Sequence, residues 1–200
     1  MGLALGERFG VRLYDAIQQN NKKREEALII NPAAHFLNSS LEEMANNYDF
    51  TSKYDAVISL NDSDQKEYFT TKLQCAYDLV CPGGVLIFSC RVTEGETVED
   101  INISFIEERE SADKRSRERY VVKNIHELFD IMTGLKPDSI NGYGYSGTPS
   151  SSATTPFKII NFAVFSIKKP AGESRSKPDI SIQLPEHLRR SIGEMPALNI

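Results

Sequence analysis

Cysteine and histidine are scarce in this 200-residue chain, with three of each. Cys75, Cys81 and Cys90 cannot all pair with one another, and no Cys/His grouping has the spacing of a metal site, so reduced thiols, no bound metal and a cytoplasmic setting are expected. A surplus of positive charge is also missing. Lys and Arg number 23 against 28 Asp and Glu, a formal charge of -5, which supplies no field to gather phosphates and argues against nucleic acid as a partner. No run approaches the roughly 20 apolar residues of a membrane-spanning helix, and the opening residues lack a basic start followed by a long apolar stretch. Gly6 stands where a myristoylation signal needs Ser or Thr. No membrane partner is expected.

What is present is 40% hydrophobic residues, enough for one sizeable core. Strand-like and helix-like segments alternate, the signature of a mainly parallel sheet covered by helices. Strands are expected at Val11 to Ile17, Ala34 to Leu37, Tyr54 to Leu60, Val85 to Cys90, Ser139 to Tyr145 and Ile159 to Ile167, all in one sheet. Tyr54 to Leu60 should lie in its interior, because apolar and β-branched residues run together there. Helices are expected at Gln18 to Ile30, Asp64 to Val80 and Ile125 to Thr133, with a helical turn at Leu41 to Ala45. In the second of these, Phe69, Leu73, Ala76, Tyr77 and Val80 recur at three- and four-residue steps and form one apolar stripe. Cys81-Pro82-Gly83-Gly84 should end that helix abruptly. The stretch from Ile101 to Val122 reads as a surface hairpin with a charged tip. From Pro170 onward Pro, Ser, Gly and charges dominate, which predicts a domain over 1–169 and a mostly disordered tail over 170–200, with a short helix near Pro185 to Ile192.

Tyr54-Asp55, then a helix, then Pro82-Gly83-Gly84 before a buried strand, then a helix and a two-strand finish ending in Lys168-Lys169-Pro170 form an ordered set. This set resembles the second half of the class I S-adenosylmethionine (SAM) dependent methyltransferases. The resemblance implies an α/β, Rossmann-like sheet with an antiparallel last strand. It also implies SAM as cofactor and a small-molecule substrate. Asp15 would accept hydrogen bonds from the ribose hydroxyls, since two acceptor oxygens can engage a vicinal diol. Ser40 would meet the adenine edge with Leu41 beside the ring, and Leu60 and Asn61 would line the pocket next to the reactive methyl group. An N-cap by Ser39 or Ser40 accounts for the same polar residues, and Asn61-Asp62-Ser63 is also good turn chemistry.

One family feature is lacking. The first strand with its glycine-rich cofactor loop has no counterpart upstream of Val11, so an N-terminally truncated fold with impaired SAM binding is expected. Gly142-Tyr143-Gly144-Tyr145-Ser146-Gly147 fits GxGxxG by pattern alone, but no helix follows it, and glycines that permit bends at a sheet edge are the expected reading. Methyl transfer from an activated sulfonium is mainly a matter of positioning, so no catalytic residue is singled out. The alternative expectation is a catalytically silent module that binds a partner chain or a second copy of itself.

Overall fold

The computed structural model describes residues 15–17, 21–30, 35–60, 66–100, 120–149, 151, 153–173 and 177–193. Val11 to Tyr14 of the first expected strand, the residues Asn61 and Asp62, and the charged tip of the hairpin lie outside these residues. In chain order the elements are β1 (Asp15–Ile17), α1 (Asn21–Ile30), β2 (His35–Leu37), α2 (Leu41–Ala45), β3 (Tyr54–Ser59), α3 (Lys66–Leu79) and β4 (Val80–Thr93). There follow β5 (Val98–Asp100), β6 (Tyr120–Asn124), α4 (Ile125–Gly134), β7 (Ser139–Gly147), β8 (Ile160–Lys168), β9 (Asp179–Gln183) and α5 (Glu186–Gly193).

β4 organises the main sheet. Along one edge it pairs antiparallel with β8, from Val85 opposite Lys168 to Val92 opposite Asn161. Along the other edge it pairs parallel first with β3 and then, past the end of β3, with β6 at Arg91 to Thr93. β8 is followed by antiparallel β7, and β9 joins β7 in parallel. The antiparallel strand inside an otherwise largely parallel α/β sheet is the arrangement anticipated from the sequence. β5 and β6 pair antiparallel, so a hairpin does follow β4, with its strands at 98–100 and 120–124.

One side of the sheet carries the core. Phe69, Leu73, Ala76 and Tyr77 of α3 pack with Leu86, Phe88, Cys90 and Val92 of β4, and Leu128, Phe129 and Met132 of α4 close over Phe165 and Ile167. Alternation along β4 and the three-to-four residue steps of α3 and α4 place these side chains on one face. The turn between α3 and the paired part of β4 depends on two glycines. Gly83 has φ +80, and a Cβ on Gly84 would lie 2.8 Å from the Asp55 carbonyl oxygen, so neither position accepts a side chain without strain. Lys169 completes this corner: its ammonium donates to the carbonyls of Tyr77 at 3.1 Å and Val80 at 2.8 Å, capping the end of α3.

Three expectations are corrected. First, the expected strands do not form one sheet: β1 and β2 make a separate parallel pair, and β3 has β4 as its one partner among the described residues. With one edge unpaired, β3 is half-buried at most, and Asp55 and Ala56 are exposed. Second, residues 179–193 of the expected tail are ordered on the core, where Leu184, Leu188 and Ile192 are buried. Third, β7 runs between β8 and β9, so its glycines do not mark a sheet edge. A Cβ at Gly142 would meet the Phe165 ring at 2.9 Å, and one at Gly144 would lie 2.5 Å from the Phe162 carbonyl oxygen and 2.7 Å from Leu184. The absent side chains leave the space that Ile182 and Leu184 fill, which is why a polar-looking tail docks here.

Candidate functional site

Open parallel sheets bind ligands beyond the carboxyl ends of their strands, and Ser40, Leu41 and Leu60 stand there. Ser40 follows β2 and starts α2 with a reciprocal cap: its hydroxyl accepts from the Glu43 backbone N–H at 3.1 Å, while the Glu43 carboxylate accepts from the Ser40 N–H at 2.8 Å. The bonds from Ser40 and from the Ser39 hydroxyl hold the Glu43 carboxyl below the usual carboxylate range. Leu41 is partly buried against the core, and Leu60, just past β3, is 41% exposed.

Asp15 occupies a different place. It opens β1 in register with His35, which opens β2, so Ser40 lies beyond the opposite end of the pair, up to about 17 Å from His35 at the rise of an extended chain. His35 Nδ1 bonds Asp15 Oδ1 at 3.0 Å, and the Tyr54 hydroxyl donates to Oδ2 at 2.8 Å. The Asp15 side chain is 9% exposed. Burial pushes its carboxyl up, but the bonds from Tyr54 and His35 and the nearby charges of His35 and Lys53 outweigh this and hold it below its ordinary value. Burial and the Asp15 carboxylate push the Tyr54 hydroxyl the other way, far up. The fit of a ribose diol can be judged from the acceptor capacity. A carboxylate offers about four lone-pair sites, two of which are used by described residues.

A third group of residues escaped the sequence reading. The turn after β4 is tied to the start of α4: Asn124 Nδ2 donates to the Gly95 carbonyl at 2.7 Å, and Thr97 Oγ1 donates to Glu127 at 2.8 Å while accepting from the Asn124 N–H at 2.9 Å. Beside this turn, His126 Nε2 and Ser191 Oγ are 2.5 Å apart. Glu94, Glu186, His187, Arg190 and Ser191 line an open cleft of about 680 Å³. Lys123, at the end of β6, is 2% exposed, with its ammonium 4.8 Å from the centre of the Phe69 ring. The cap residue Asn124 was legible as such, but four of the five residues lining the cleft come from the segment read as a tail. Among the described residues no group of three or more His, Cys, Asp or Glu could hold a metal ion, Cys75, Cys81 and Cys90 are free, and no helix is long and apolar enough to cross a membrane.

No family model matches the sequence, and no curated protein matches it. Solved structures do match by fold. The 1,6-didemethyltoxoflavin N1-methyltransferase of Burkholderia thailandensis, bound to 1,6-didemethyltoxoflavin and S-adenosylhomocysteine, superposes with a TM-score of 0.51 at 14% identity, over 84% of this chain and 65% of that one. A putative SAM-dependent methyltransferase of Listeria monocytogenes gives 0.50 at 12% identity, over 80% and 81%. The fold is that of the class I SAM-dependent methyltransferases. The methyltransferase fold also carries other chemistry: the [4+2]-cyclase SpnF matches with a TM-score of 0.50 at 10% identity, over 86% of this chain and 70% of that one. The present chain spans about two thirds of the length of the toxoflavin enzyme, and at these identities the likeness establishes the methyltransferase fold and not an activity.

Proposed function

We propose that this chain is a SAM-dependent methyltransferase domain acting on a small-molecule substrate. The observation that carries the reading is β8, antiparallel between β4 and β7, in a sheet that superposes on methyltransferases of known structure. Bound SAM supplies a methyl group already activated by its sulfonium. The chain's own residues bind and orient. Asp15 accepts the ribose hydroxyls beside the bonds from His35 and Tyr54, Ser40 and Leu41 take the adenine, and Leu60 lines the pocket towards the methyl group. A dedicated acid or base is not required for this chemistry. The free thiols support a cytoplasmic setting.

Binding of SAM is weaker than micromolar on this reading, because the Asp15 carboxylate is already held by two protein donors and Ser40 is engaged in its helix cap. Titration calorimetry with SAM and with S-adenosylhomocysteine tests both statements. Weak, saturable binding of either ligand that Asp15→Ala abolishes is the expected result. Micromolar binding would refute the weakening, and no saturable binding of either ligand at millimolar concentration would sink the SAM reading itself.

A further inference from the structure

The cleft at the carboxyl end of β4 has two walls. One is the turn carrying Glu94, pinned to α4 through Asn124, which also donates to the Glu94 carbonyl at 3.3 Å, and through the Thr97 to Glu127 bond. The other is α5, whose Leu188 and Ile192 are wholly buried and whose Ser191 bonds His126. A site held on both sides by buried anchors and hydrogen bonds keeps its geometry. Its volume of about 680 Å³ suits a small molecule.

The charges of the lining are unequal. Arg190 is ion-paired with Glu186 one helical turn away. The Glu94 carboxylate has no partner among the described residues, so the described lining offers one unpaired carboxylate. Across from it, the Ser191 hydroxyl is oriented by the His126 ring. We propose that this cleft binds a small cationic molecule bearing a hydroxyl or second polar group, an amino alcohol or short amine, with Glu94 taking the ammonium and Ser191 the hydroxyl. The inference goes beyond the methyltransferase reading and does not depend on it, since Leu60 stands level with Ser89 of β4, five residues before Glu94.

Two-dimensional amide NMR of the full chain, titrated with ethanolamine and separately with acetate, tests the inference. Ethanolamine should give saturable shifts confined to the Glu94 to Thr97 turn, the start of α4 and α5. Glu94→Gln should weaken them about fivefold, the scale of a solvent-exposed ion pair, and acetate should give none. The Glu94→Gln spectrum itself reports whether the variant is folded. Absence of saturable shifts, equal shifts in Glu94→Gln, or equal response to acetate would overturn the inference. SAM calorimetry on the same sample separates the two readings. Ethanolamine binding without SAM binding leaves the cleft standing and defeats the methyltransferase reading, whereas SAM binding without ethanolamine binding leaves the methyltransferase reading standing and defeats the cleft.

Discussion

Leu188→Ala decides whether residues 179–193 belong to the folded domain. Leu188 is 0% exposed and sits in the cluster with Ile192, Leu184 and the α4 side chains. Truncating a buried leucine removes its transfer free energy and leaves a cavity, about 2–5 kcal/mol in total. Ile192 and Leu184 sit in the same cluster and can relax only partly into the void, so a value near 3 kcal/mol is expected. In a domain of this size 1 kcal/mol moves the melting temperature by about 2–4 °C, giving a fall of about 6–12 °C in scanning calorimetry and a matching shift in urea midpoint at unchanged slope. Arg190→Ala on the exposed side of the same helix removes one solvent-exposed ion pair and should cost less than about 1 kcal/mol. A melting temperature for Leu188→Ala equal to that of the unsubstituted chain, or equal to that of Arg190→Ala, would refute the reasoning and return the segment to the status of an undocked tail.

Gly144→Ala forces a Cβ to within 2.5 Å of a carbonyl oxygen in the neighbouring strand, so it should cost about 1–3 kcal/mol in urea unfolding; a neutral result would contradict the close packing of β7. Asp15 has a folded-state pKa below its unfolded value, so it adds stability above the unfolded value that is lost as pH falls through the folded one. Asp15→Asn should therefore lower stability at pH 7 by about 1.5–3 kcal/mol and flatten the loss of stability below about pH 4, measured by urea titrations across pH. Lys169→Met keeps most of the aliphatic stem but frees two carbonyls at the end of α3, and should lower the unfolding free energy by about 1–3 kcal/mol; amide exchange slowing, rather than quickening, in the last turn of α3 would count against the cap.

The parts of the fold that were legible are those where one period dominates. α3 shows its stripe at Phe69, Leu73, Ala76 and Tyr77, and α4 is announced by Asn124 and filled by Leu128, Phe129 and Met132. In the end region the short helix near Pro185 to Ile192 was legible, but its docking and the strand before it were missed because composition was weighed above period. Ile180, Ile182 and Leu184 alternate, and Leu188 and Ile192 stand four apart, a strand signal followed by a helix signal inside a segment rich in Pro, Ser and charge. The interior position assigned to Tyr54 to Leu60 followed from its apolar run, which does not reveal how many neighbours a strand has. For the site, Ser40 could be read as a cap or as an adenine contact, and the structure realises the cap. Nothing local in the sequence could have joined Glu94 to Ser191, or Asp15 to Tyr54, because those proximities exist only once the sheet and its helices are assembled.

The central position of β4 also constrains the order of events as the chain emerges from a ribosome. Its parallel neighbour β3 is made before it, yet Asn161, whose amide bonds the Val92 carbonyl, is 69 positions downstream. At about 5–20 residues per second, β4 waits seconds with one long edge unpaired and its Leu86, Phe88 and Val92 row half-covered. A nascent chain stalled before β8 therefore presents an apolar strand edge of the kind that chaperones retain, and release from them should coincide with the synthesis of Ile160–Lys168.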